Sequence, residues 1–142
     1  MEQRLRLVTL GVRDLRVARA FYVDGLGWEP VLELDEVVFV PVGHGLVLSL
    51  WGAQDLAADA GIDLPPPGPG RFALAHNVDS PAEVDAFLAR AVAAGGTLVK
   101  PGQAAPWGGY SGYVAAPDGF LWESAWNAGL TADPDGTIRF GG

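Results

Sequence analysis

Two stretches decide the fold: VTLGVRDLRVARAFYVDGLGW at residues 8–28 and LAHNVDSPAEVDAFLARAVAAGG at residues 74–96. Each begins β-rich, passes a polar residue suited to capping a helix, and carries helically spaced apolar residues to a glycine stop. In the first, residues 5–12 read as a strand, and the Asp14 carboxylate is placed to accept the free N–H groups of a helix starting at Leu15. Leu15, Ala18, Phe21 and Tyr22 recur at helical spacing, and Gly25 and Gly27 end the run. In the second, Ser80-Pro81-Ala82-Glu83 has capping-box spacing with proline at the first helical position. The helix predicted over 82–94 puts Val84, Phe87, Leu88 and Ala91 on one face and stops at Gly95-Gly96.

Working outward, three strands follow each helix. In the first half they fall at 28–34, 37–41 and 46–51, with Gly43-His44-Gly45 turning between the last two. In the second they fall at 97–100, 110–115 and 120–126, with Pro117-Asp118-Gly119 as a tight turn. Each half therefore reads β-α-β-β-β, a repeat of pattern more than of residue identity. The expected organisation is a first module over 1–56, a Pro/Gly linker over 57–70 ending in LPPPGPG, a second module over 71–128 and a peripheral, turn-rich tail over 129–142. Proline fixes φ and removes backbone donors, so the LPPPGPG tract belongs to no central strand or helix interior. A short helix over 54–60 is compatible with the pattern before it.

Composition narrows the function. The 142 residues are 49% hydrophobic and 18% charged, enough apolar material for a sizeable core. Seventeen acidic against nine basic residues give a net charge of -8, which disfavours nucleic acid and anionic lipid as partners and favours cationic ligands. With no cysteine, disulfides, thiol nucleophiles and Cys-ligated zinc are excluded. No secretion signal or 18-residue apolar span is visible, so the expected location is cytoplasmic. The glycines near residue 110 form no phosphate loop, which leaves nucleotide binding without support.

VTLGVRDLRVARAFYVDGLGW, PAEVDAFLARAVAAGGTLVKP and WGGYSGYVAAPDGFLWE together resemble the vicinal oxygen chelate superfamily, also called the glyoxalase/bleomycin resistance/dioxygenase superfamily, in order and spacing over most of residues 5–126. The resemblance implies an α+β fold: two tandem βαβββ modules, each a curled mixed sheet backed by a helix, paired around a cup and often within a homodimer. Many members hold a divalent metal in the cup through four side chains, two per module, and use it as a Lewis acid. Carried onto this chain, the four ligand positions fall on Leu7, Ser49, Ala73 and Glu123. Leucine and alanine have no lone pair to give, and one carboxylate with one hydroxyl makes a poor divalent site. No metal or other cofactor is expected.

Strand parity then suggests a lining of Leu7, Thr9, Ser49, Trp51, Ala73, Ala75, Asn77, Leu121 and Glu123, mostly apolar with a few polar groups. Glu123 is the candidate catalytic or cation-binding group, because an ionised carboxylate in an apolar cup is costly unless paired or solvated. The bland alternative hydrogen-bonds it to Ser49, Asn77 or a tyrosine. Trp107, on a Gly- and Pro-rich loop, either closes over a planar ligand or staples the loop to the sheet; Tyr110 and Tyr113 could add hydroxyl contacts. His44 reads as a solvated turn residue. His76, of opposite parity to Glu123, reads as a histidine facing the helix layer, with a relocated metal site as the other option.

Two functions remain open. The first is a metal-independent protein that binds a small aromatic or cationic molecule, similar to the bleomycin-resistance branch. The second is a lyase, isomerase or dioxygenase using substituted ligands, or Glu123 as a base. An interaction module with a small cavity is the blander third.

Overall fold

Asp14 caps the first helix as its position predicts. Its Oδ1 accepts from the backbone N–H of Arg16 at 2.9 Å and of Val17 at 3.4 Å. The computed structural model describes residues 1–141. The chain divides into two compact units, Met1–Pro67 and Gly68–Gly142.

The first unit contains β1 (Leu7–Val12), α1 (Leu15–Arg19) running into a π-helical turn (Ala20–Gly25), β2 (Leu32–Glu33), β3 (Val37–Gly43), β4 (Leu46–Gly52) and α2 (Ala53–Ala60). Its sheet has the order β1-β4-β3-β2, with β1 parallel to β4 and the other pairs antiparallel. Leu10, Val12, Val38, Val40, Leu48 and Leu50 are buried on one face, as are Ala18, Phe21 and Tyr22 of the helix. The other face is covered at one end, where the Gly11 backbone lies close to Leu56 of α2 and to Leu64.

The second unit repeats this plan with β5 (Leu74–Asn77), α3 (Pro81–Ala93), β6 (Thr97–Ala104), β7 (Tyr110–Ala115) and β8 (Leu121–Trp126). The order is β5-β8-β7-β6, again with the first strand parallel to the last. The predicted cap forms, with the return bond from Glu83 made to the residue before the N-cap. Ser80 Oγ accepts from the Glu83 N–H at 3.3 Å, and Glu83 Oε2 accepts from the Asp79 N–H at 3.0 Å. Val84, Leu88 and Ala91 of α3 are buried along with Val114, Trp122 and Ser124 of the strands. The result is an α+β fold of two curled, open, four-stranded mixed sheets, each generated by β-α-β-β-β.

Three elements differ from the sequence expectation. The strand predicted over 28–34 shortens to Leu32–Glu33, because the Trp28 N–H bonds back to the Tyr22 carbonyl at 3.1 Å and Pro30 has no donor for a ladder. The helix before it closes as a π-turn, with the Leu26 N–H on the Phe21 carbonyl at 2.9 Å. The tail pairs into a hairpin of β9 (Leu130–Ala132) and β10 (Ile138–Phe140) around Asp133-Pro134-Asp135-Gly136. There the Gly136 N–H reaches the Asp133 carbonyl at 2.8 Å, and φ of +84° explains glycine at that position. Among the described residues no helix is long and apolar enough to cross a membrane.

Candidate functional site

Strand register sorts the candidate residues by face, since partners directly across a ladder point the same way. In the first unit Thr9 lies opposite Ser49, which lies opposite Phe39 on its other side. Ser49 is buried and Thr9 exposed. Trp51 is half-buried one row along, between Gly11 and Val37, at the end of the sheet where α2 packs. Leu7 shares the parity of Thr9 and is exposed.

In the second unit Ala75, Glu123, Tyr113 and Lys100 form one row across the four strands, on the face opposite α3. Tyr113 and Glu123 are each half-buried and lie directly across the β7–β8 ladder from one another. Burial and, after it, the neighbouring Glu123 carboxylate push the phenol above its ordinary pKa. Asn77 is exposed at the end of β5, one row along on the same face, followed in that row by Ala125, Ser111 and Gln103. On the other side of the charged row lie Leu121, Ala115 and Thr97. This face therefore carries an apolar, a charged and a neutral polar row in succession.

Tyr110 is not brought to this row. Three residues from Tyr113, it falls on the α3 side, and its hydroxyl donates to Asp85 of α3, at 3.0 Å from Oδ1 and 3.2 Å from Oδ2. Burial and Asp85 together raise its pKa. Its contact is with the helix layer, where the sequence reading had given it a ligand. Trp107 sits in a tight turn between β6 and β7, where the Ala105 N–H bonds the Gly109 carbonyl at 2.9 Å. It is 52% exposed, and its ring lies against Gly109 so closely that a Cβ there would fall inside it. His76 faces α3, as its parity predicts. Its ring stacks on Phe87 with centroids 4.6 Å apart, and burial lowers its pKa.

The donor chemistry of the four metal-ligand positions does not fit a divalent ion. Leu7 and Ala73 offer no donor atom, Ser49 offers a neutral hydroxyl, and Glu123 alone offers charge. Among the described residues no three His, Asp or Glu side chains gather into a group that could hold a metal. Lys100 stands in the same row as Glu123, and sequence reasoning does not single it out. The signal available was that it is the chain's single lysine.

The model of the Glyoxalase/Bleomycin resistance protein/Dioxygenase superfamily matches residues 4–124. Among solved structures, a glyoxalase-related enzyme from Fulvimarina pelagi is 42% identical, with a TM-score of 0.92 over 99% of this chain and 100% of that one. A glyoxalase/bleomycin resistance protein/dioxygenase from Nocardioides is 26% identical, with a TM-score of 0.73 over 89% and 84% of the two chains. Lactoylglutathione lyase from Agrobacterium tumefaciens is 29% identical, with a TM-score of 0.67 over 89% and 95%. No curated protein matches.

Proposed function

From the premise that this chain belongs to the glyoxalase/bleomycin resistance protein/dioxygenase superfamily, we propose that it binds a small aromatic or cationic molecule without a metal. The observation that carries this reading is the Tyr113–Glu123 pair. The one charged donor among the family's ligand positions lies directly across the ladder from a phenol, on a face with apolar Leu121 and Ala115 beside it. Small-molecule sites are commonly built this way, with a few polar groups fixing orientation on an apolar floor. Glu123 would attract a cation and Trp107 would offer a π-face to it. Asn77, one row along on the same face, is the further contact proposed in this unit, and Thr9, Ser49 and Trp51 are proposed as contacts on the first unit's own sheet.

A second reading, catalysis with Glu123 as a base, draws support from the same pair and from the Fulvimarina pelagi relative, which is described as an enzyme. There Glu123 would accept a substrate proton and Tyr113 would hold the carboxylate in place. A cytoplasmic homodimer is the proposed assembly.

Tryptophan fluorescence titration against basic and aromatic compounds tests the binding reading, alongside metal analysis of protein purified without chelator. Saturable quenching with substoichiometric metal is the expected result. A stoichiometric divalent ion that is lost in Glu123→Gln would overturn it. Under the binding reading Glu123→Gln weakens affinity; under the catalytic reading it abolishes turnover.

A further inference from the structure

Lys100 is the only lysine in a chain of net charge -8, and it lies in the same cross-strand row as Glu123. It is exposed on the edge strand β6, directly opposite Tyr113. Register shifts bracket it on both sides, between Leu98 and Lys100 and between Lys100 and Gln103. Bulges of this kind re-aim a side chain and are found beside binding sites. Arg4, Arg16, Arg19 and Arg139 are each held by a carboxylate. Lys100 has no such partner among the described residues. Its ammonium is thus a positive charge without an ion-pair partner among the described residues, on a chain of net charge -8.

From this juxtaposition we infer that the face opposite α3 in the second unit recognises a zwitterion, with a carboxylate at Lys100, an ammonium at Glu123 and an apolar body over Leu121 and Ala115. The inference rests on the reading that this face binds a small molecule, and it names the class. With one strand between them, the Lys100 and Glu123 backbones are about 10 Å apart. A ligand whose two charges are several bonds apart meets both side chains at hydrogen-bonding distance. Tyr113, standing between them in the row, forms the floor under such a ligand. A cation alone would leave Lys100 unused, and an anion alone would face Glu123 across the gap.

The single lysine makes the test selective. Reductive methylation with a carbon-13 label marks only Lys100 and the α-amino group while keeping the positive charge. The probes are 4-(aminomethyl)benzoate and its two halves, 4-methylbenzoate and benzylamine. The zwitterion is expected to shift the Lys100 resonance saturably, and each half to bind at least about tenfold more weakly. Lys100→Met and Glu123→Gln should each weaken the zwitterion by about tenfold. Lys100 is exposed at a sheet edge, so Lys100→Met is expected to fold. Should benzylamine bind as tightly as the zwitterion, with Lys100→Met without effect, the zwitterion is refuted while the small-molecule reading stands. An unmoved Lys100 resonance with all three compounds also refutes the zwitterion, and the fluorescence panel then decides the broader reading by itself.

Discussion

Tyr110 and Tyr113 lie three residues apart on one strand and serve opposite faces of its sheet: the Tyr110 hydroxyl donates to Asp85 of α3, and Tyr113 lies across the ladder from Glu123 on the other side. Odd spacing along a strand enforces that division. One phenol thus belongs to the helix layer and the other to the candidate site.

Both phenols are raised above their ordinary value near 10, so each releases its proton more readily in the unfolded chain. Their contribution to stability is therefore full below about pH 10 and is lost as pH rises through the folded values. Phenolate absorbance in an alkaline titration should show two late-titrating tyrosines. Glu123→Gln is expected to move only the Tyr113 step toward its ordinary value, and Asp85→Asn only the Tyr110 step. A Tyr110 step displaced by Glu123→Gln would contradict the assignment of faces.

His76 carries the opposite sign. Burial lowers its pKa, so the unfolded chain takes up the proton first as the medium is acidified. The stability it contributes is present above about pH 6.5 and declines as pH falls through the folded value. Chemical denaturation at about pH 7.5 and about pH 5 should show this loss, and His76→Leu should reduce the difference between the two. Equal slopes for the two proteins would refute it.

Ser124 is fully buried in β8, and its hydroxyl has no hydrogen-bond partner among the described residues. An unmet buried hydroxyl carries its desolvation cost uncompensated, so Ser124→Ala is expected to stabilise the protein by about 1 kcal/mol. Thermal or denaturant unfolding measures this directly. A lowered midpoint would show that the hydroxyl has a partner in solution.

Gly109 leaves room for the Trp107 ring and for the Trp126 carbonyl, and an alanine Cβ there would meet both, displacing the indole and crowding β8. Gly109→Ala should shift the tryptophan emission to the red by exposing Trp107, while Trp107→Phe in the same background should cancel the shift. If Trp107 closes over a ligand, Gly109→Ala also weakens binding. If it only staples the loop, the cost appears in stability alone.

By itself the sequence determined what rests on local chemistry. Asp14 and the Ser80–Glu83 box start their helices where capping side chains meet free N–H groups, and the faces of Glu123 and His76 follow from counting by twos. The repeated β-α-β-β-β succession was legible because the same local pattern occurs twice. Parity would also have separated Tyr110 from Tyr113, had it been applied to the strand after the Trp107 loop. Only the tertiary structure decided the shortening of β2, since that depends on Trp28 bonding back to the helix. It also decided the place of Lys100 beside Tyr113 and Glu123. Two bulges set that register, and a bulge arises from pairing between strands, which no single stretch of chain encodes.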